Sequence, residues 1–317
     1  MLRLLTLLLL AAPALAAETT LMNVSYDPTR ELYADYNREF TRTHPGVRIR
    51  MSHGGSGKQA RAVIDGLQAD IVTLGLGADI DAIAARGLLR ADWAEALPEH
   101  SAPYRSYIVL LVRKGNPKQI RDWEDLARPG VAVLTPNPKS SGGARWNYLA
   151  AWAYARQAHG DAAGDFMRRW LRNVLIFDTG ARGATTNFVR RKQGDVLITW
   201  ENEAYIAKKY FGDDAFEIIT PSVTIRCDPP VALVDSVVDK RGTRALAEAY
   251  LRGLYTDEAQ ALIGQHFFRT LDARHQHLPP IDTHIVTIDG MGGWARMQRE
   301  HFAEGGTFDQ FTARGGE

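Results

Sequence analysis

Only one cysteine, Cys227, stands in the 317 residues, so no internal disulfide is available in any compartment. A chain of this length buries enough core without one. A strong charge of either sign is also missing: the formal net charge is +1 at pH 7, which removes the electrostatic footprint of nucleic-acid or membrane-surface binding. Beyond the first residues no apolar run approaches the ~20 needed to cross a bilayer, so the chain is not expected to be membrane-embedded. Metal-ligand spacing is missing too. His53 stands alone, and His266, His275, His277 and His284 fall in a loop-rich stretch without an acid or cysteine at a recognised interval, which reads as surface histidines and no metal site. The catalytic signatures fail in the same way. In Gly54-Gly55-Ser56-Gly57-Lys58-Gln59 the preceding Ser52 takes the first glycine position of a P-loop, and Gln59 replaces its magnesium-holding Ser or Thr. Lys58 likewise stands where a serine-hydrolase elbow needs its last glycine. A secreted hydrolase of sulfate or phosphate esters would need a nucleophile and base or a metal, and neither is found. The expectation is a protein that is not an enzyme and needs no cofactor.

What is present begins with an address. Met1 to Ala16 carries Arg3, an apolar stretch from Leu4 to Ala12 and the small-x-small signal Ala14-Leu15-Ala16, the pattern of a cleaved secretory signal peptide. Without a cysteine at the cleavage site no lipid anchor is expected, and a soluble periplasmic protein is the expectation. The full chain is 45% hydrophobic and 24% charged, ordinary for one or two globular domains.

Strand-like and helix-like stretches then alternate. Leu21 to Ser25, Val47 to Met51 and Ile71 to Leu74 read as strands, with helices after Asp27-Pro28, after Gly57 and around Ile80 to Ala85. Asp27 before Pro28 reads as an N-cap and N1 pair. A second series runs through Val131 to Leu134, a helix from Ala144, Val174 to Phe177, a helix from Ala184, and Val196 to Trp200. This is an α/β pattern of mostly parallel sheets flanked by helices. Chain crossings near Ser106 to Val112 and near Pro221 to Val231 divide it into one lobe of residues 17–107 plus 222–317 and another of 108–221. Helices at Thr243 to Leu254 and Thr256 to Ile263 are expected to be capped by their threonines.

Three turns share one grammar. Ser52-His53-Gly54-Gly55-Ser56-Gly57, Lys139-Ser140-Ser141-Gly142-Gly143 and Thr179-Gly180-Ala181-Arg182-Gly183 each follow an apolar strand and open a helix. A helix N-terminus leaves backbone N–H groups unpartnered and carries about half a positive charge, so a small anion is its natural guest. Glycines let the backbone approach that guest, and a serine hydroxyl adds a rotatable donor. One such turn is an ordinary cap; three facing one cleft make an anion receptor. Trp200, at a strand end, offers an indole N–H or packs as core. Asp27 is a cap or accepts from groups that hold the ligand, and Arg145 and Arg182 read as braces inside the turns.

At these residues the chain resembles the periplasmic sulfate-binding proteins of bacterial ABC importers, a family that includes thiosulfate-binding proteins. The likeness rests on Asn23-Val24-Ser25-Tyr26-Asp27-Pro28, on Ser52 to Ala60, on Asn137 to Trp152, on Gly180-Ala181-Arg182-Gly183, on Trp200-Glu201-Asn202-Glu203-Ala204 and on Gly305-Gly306-Thr307-Phe308-Asp309. It implies a two-lobed type II periplasmic binding-protein fold with two crossover strands, and a buried oxyanion held by uncharged donors. Those donors are the N–H groups of Ser56, Gly142, Gly143 and Ala181, the hydroxyl of Ser141 and the indole of Trp200, with Asp27, Arg145 and Arg182 in support. Implied partners are sulfate, or alternatively thiosulfate or another tetrahedral oxyanion, and an ABC permease with its ATPase; a monomer is expected. Two departures from the family pattern are Ala78, where a tyrosine is expected before Asp79, and Cys227 near the crossing.

Overall fold

The computed structural model describes residues 18–313, so the expected signal peptide at 1–16 lies outside the described residues. The strands are β1 (Thr19–Tyr26), β2 (Val47–Gly54), β3 (Ile71–Thr73), β4 (Ser106–Arg113), β5 (Val133–Pro136), β6 (Val174–Asp178), β7 (Val196–Trp200), β8 (Phe216–Ile219), β9 (Val223–Cys227), β10 (Val231–Leu233) and β11 (His284–Val286). They form a 4-stranded sheet ordered β10-β3-β1-β2 and a 7-stranded sheet ordered β11-β9-β4-β7-β5-β6, with β8 also paired to β4.

The same wiring occurs in both sheets. In the first, β1 lies parallel between β2 and β3, and β10 closes the far side antiparallel. In the second, β5 lies parallel between β6 and β7, and β4 closes antiparallel. Helices cover both faces, which is why β4 reads as an unbroken apolar run: Ile108, Val109, Leu110 and Leu111 are fully buried. The connections after β1, β2, β5 and β6 all leave from carboxyl ends, the side on which open parallel sheets bind ligands.

The chain passes between sheets at β4 and again from β9 to β10, and the two passages lie side by side, Ser106 opposite Cys227 and Tyr107 opposite Arg226. Cys227 is fully buried there, and burial pushes its thiol well above the usual range, so it is inert packing. Sheet membership differs from the expected boundary at residue 221. β9 and β11 belong to the second sheet, and Met297, Phe302, Phe308 and Phe311 share a core with Trp146 and Tyr148 of that side. β9 is drawn there because Trp123 Nε1 donates to Val223 O at 2.8 Å and Thr224 Oγ1 donates to Ile108 O at 2.7 Å.

Three local expectations are corrected. Asp27 does not cap: it lies inside a 3-10 turn, Asp27–Thr29, and its carboxylate instead accepts from Arg30 Nη2 at 2.7 Å. Thr256 accepts from Ala259 N at 3.3 Å as a cap should, but Thr243 spends its hydroxyl on Asp70 Oδ1 at 2.6 Å. The histidines are not all surface groups either, since His266 is buried and contacts Asp35 Oδ2 at 2.9 Å.

Candidate anion-binding cleft

β2 ends in Gly54, β5 in Pro136 and β6 in Asp178, and a short turn after each delivers a helix: Ser56–Ile64, Gly142–His159 and Ala181–Val189. Their N-caps are Gly55, Ser141 and Gly180. Ser56, Gly142 and Ala181 are thus each the first residue of a helix and Gly143 the second, positions whose N–H groups have no intrahelical acceptor. Ser56, Ser141, Gly143 and Ala181 line one cavity of about 10 Å³ together with Asp27 and Gly55, and no Lys, Arg or His lines it. A space this tight, far below the range of ordinary organic-ligand pockets, leaves room only for a guest of a few atoms. Gly142 is at the same place, because a Cβ on it would lie 2.8 Å from Ser56 Cβ. Trp200 ends β7, fully buried against Tyr26 with ring centroids 5.4 Å apart. Its Nε1 donates to Gly143 O at 3.3 Å, so the indole stands at the rim of the Gly142-Gly143 turn.

The jaws are closed on one another. A Cβ on Gly55 would lie 2.5 Å from Ser140 O and 3.0 Å from Thr179 O, both backbone atoms of the opposite side, and one on Gly180 would meet the end of the Asp27 side chain. At Gly55, where the neighbours are backbone carbonyls, only glycine permits the approach. The second-lobe turns also hold each other: Ser140 Oγ donates to Thr179 O at 3.0 Å and Asn137 N to Asp178 O at 2.7 Å.

Charged groups lie behind the N–H groups and cross between the sheets. Ser56 Oγ donates to Asp79 Oδ2 at 2.5 Å and accepts from Gly75 N at 2.9 Å. Arg145 Nη1 approaches Asp79 Oδ1 at 3.4 Å, while its Nε donates to Pro138 O at 2.9 Å. Burial raises the Asp79 carboxyl despite these two partners. Trp146 Nε1 donates to Gly75 O at 2.7 Å, another link from one side to the other. Arg182 makes a two-pronged pair with Glu31, at 3.0 and 2.9 Å, and lies 3.6 Å from Glu203 Oε1. Burial pushes the Glu31 carboxyl up, but Arg182 outweighs it and holds the group below the usual range. Glu203 is fully buried, and that burial, aided by the charges of Glu31 and Asp27, lifts it to about 7 against the pull of Arg182. His53, half-buried near Arg30, is lowered to about 4 chiefly by burial and stays neutral.

The cleft therefore gathers the nine residues that the sequence points to in one neighbourhood. It also contains Glu31, Gly55, Asp79, Trp146 and Glu203, which the sequence does not single out. Gly55 and Asp79 adjoin residues or turns that it does, but the partners of Glu31 and Glu203 are set by long-range packing: Arg182 is 151 residues from Glu31. Ala78 packs, with Trp294, against the core that contains Trp146, and the two tryptophan rings meet edge-on at 4.6 Å.

Residues 21–269 match the family described as bacterial extracellular solute-binding protein. The chain is 54% identical to the sulfate-binding protein of Escherichia coli, over 98% of each chain, and 45% identical to the thiosulfate-binding protein of Pseudomonas aeruginosa, over 93% of this chain and 92% of that one. Among solved structures, the sulfate-binding protein SubI from Mycobacterium tuberculosis is similar with a TM-score of 0.81 and 34% identity, covering 90% of this chain and 99% of that one. A periplasmic thiamin-binding protein shares the fold alone, at a TM-score of 0.70 and 14% identity. With the paired sheets and crossing strands described above, this chain belongs to the bacterial extracellular solute-binding proteins of type II fold, in the family that holds the sulfate- and thiosulfate-binding proteins.

Proposed function

We propose that this protein is a periplasmic receptor that captures inorganic sulfate in the cleft, without chemical change, and delivers it to an ABC permease and its ATPase. A cleaved signal peptide at 1–16 would bring it to the periplasm. The observation that carries the reading is the cavity itself: helix N-termini from both sheets meet at one small space whose wall includes no cationic side chain. The proposed donors are the N–H groups of Ser56, Gly142, Gly143 and Ala181, the Ser141 hydroxyl and the Trp200 indole, whose single N–H would exchange its 3.3 Å bond to Gly143 O for the guest. Six hydrogen bonds to a charged guest at ~1.5–3 kcal/mol each give a gross gain of about 9–18 kcal/mol. Desolvation and closure offset much of it, which leaves room for micromolar or tighter binding, about −8 kcal/mol or beyond.

Sulfate fits this donor set because it carries no proton near neutral pH. Hydrogen phosphate brings an O–H that needs an acceptor, and a mismatch of that kind costs up to ~10⁴-fold. The one carboxylate on the wall, Asp27, is held by Arg30 at 2.7 Å, which engages one of its oxygens elsewhere. Thiosulfate is the second reading, supported by the relative of that name at 45% identity. Calorimetry with sulfate, thiosulfate and phosphate separates these: sulfate is expected to bind at micromolar or better and phosphate at least about a hundredfold more weakly. Phosphate binding as tight as sulfate would mean that Asp27 accepts the phosphate proton and that the donor-only account is wrong.

A further inference from the structure

The anion cavity opens past Asp27, Gly54 and Gly55, which also border a wider vestibule whose walls include Lys58, Arg61 and Lys139. Lys139 is already committed, since its Nζ donates to Asp309 Oδ2 at 2.7 Å and to the carbonyls of Phe302 and Ala303 at 3.1 and 3.0 Å. Lys58 and Arg61 differ. They are exposed and three residues apart on the helix Ser56–Ile64, hence on neighbouring positions of one face. Among the described residues neither forms an ion pair, although acids are near: Asp27 is taken by Arg30 and Asp79 by Arg145. Two uncommitted cations thus stand at the mouth of a cavity that contains none.

Resting on the sulfate reading, we propose that Lys58 and Arg61 form an electrostatic funnel that draws the dianion to the mouth of the cleft and sets its rate of entry, while the buried donors set its residence. Cations inside the cavity would have to be desolvated, at a cost of several kcal/mol per ion. At the mouth they remain hydrated, and their field still reaches an approaching ion over the Debye length, ~10 Å at 0.1 M salt and ~30 Å at 0.01 M. Charge-lined clefts raise association rates by about 10- to 1,000-fold. Two exposed charges place this one at the low end of that range.

The test is stopped-flow association of sulfate, read by tryptophan fluorescence, since Trp200 contacts Gly143, which lines the cavity. The variant Lys58→Gln/Arg61→Gln is compared with Arg172→Gln/Lys240→Gln, which removes the same net charge from exposed positions that line neither space. Glutamine keeps good helix propensity, so the fold is retained. The mouth variant is expected to associate about 3- to 10-fold more slowly at ~0.01 M salt, to lose that deficit by ~0.5 M, and to dissociate at the unchanged rate. The control pair should associate nearly as the parent does. An unchanged association rate, an equal slowing in the control pair, or a change confined to dissociation would overturn the funnel. A parent protein that gives no heat with sulfate or thiosulfate would instead overturn the receptor reading on which the funnel rests.

Discussion

Ser141 serves two neighbours with one hydroxyl. Its oxygen accepts from Ala144 N at 3.4 Å as an N-cap, and its proton is left to donate into the cavity that the residue lines. The cap bond is long and weak, so Ser141→Ala should cost more binding than stability. A loss of ~1–3 kcal/mol in sulfate affinity is expected, about 5- to 150-fold, with the thermal midpoint little changed; calorimetry and melting curves read the two separately, and an unaltered affinity would remove Ser141 from the donor set. Glu203 makes a second residue-scale prediction. Its carboxyl stands near 7 in the folded chain, against 4.5 when unconstrained, so the folded state holds the proton more tightly. The stability this contributes is complete below about 4.5 and is lost as pH rises through about 7. Glu203→Gln should abolish that decline, giving a gain over the parent that grows from about pH 5 to about pH 7.5 in denaturant titrations; a constant offset across that range would show that Glu203 does not titrate there. The turns that carry the proposed donors are legible in the sequence because an apolar strand, a small-residue turn and a helix start are complete within a dozen consecutive positions. Glu203 is not, because its state depends on Arg182, Glu31 and Asp27 arriving from distant segments.

Helix beginnings rather than single side chains build the cleft, and they work only if the backbones nearly touch. Gly55 shows how little space remains. A methyl there would lie 2.5 Å from Ser140 O and 3.0 Å from Thr179 O, and backbone carbonyls cannot swing aside as a flexible side chain can. Gly55→Ala should therefore keep the jaws apart and remove the second-side donors from reach. Losing even one or two bonds to a charged guest, at ~1.5–3 kcal/mol each, weakens sulfate by at least about tenfold and up to about 20,000-fold. Circular dichroism should stay at the parental signal, and X-ray scattering with sulfate should retain a larger radius than the parent; full affinity in this variant would mean that the jaws need not meet. At this scale the alternation of apolar runs and helical stretches locates most parallel strands to within a few residues. The exceptions have physical causes. β9 lies in a stretch bounded by Pro221 and Pro229-Pro230 and is made a strand by its partners Trp123 and Ile108. The helix Glu201–Phe211 begins straight after β7 with no glycine or proline between them to mark the change.

For the whole molecule, capture and release are governed by different groups. Entry depends on exposed charge at the mouth, whereas opening requires the links that join the sheets to part. One such link outside the cavity is Arg182 with Glu31, two hydrogen bonds of 3.0 and 2.9 Å between partners that are 35% and 24% exposed. Partial exposure screens this pair, so it contributes on the order of 1 kcal/mol to the closed state rather than the several a buried pair involves. Glu31→Gln keeps the shape and one acceptor but removes the charge. It should speed sulfate dissociation about 3- to 10-fold, in line with that energy, and leave association at the parental rate because Lys58 and Arg61 are untouched. High salt should shrink the difference, since screening already weakens the pair in the parent. This is the mirror of the mouth variant, which slows entry alone. If Glu31→Gln slowed association and spared dissociation, the pair would be acting on the approaching ion and not on closure, and Arg182 would have to be reassigned from a clasp between the jaws to part of the entrance.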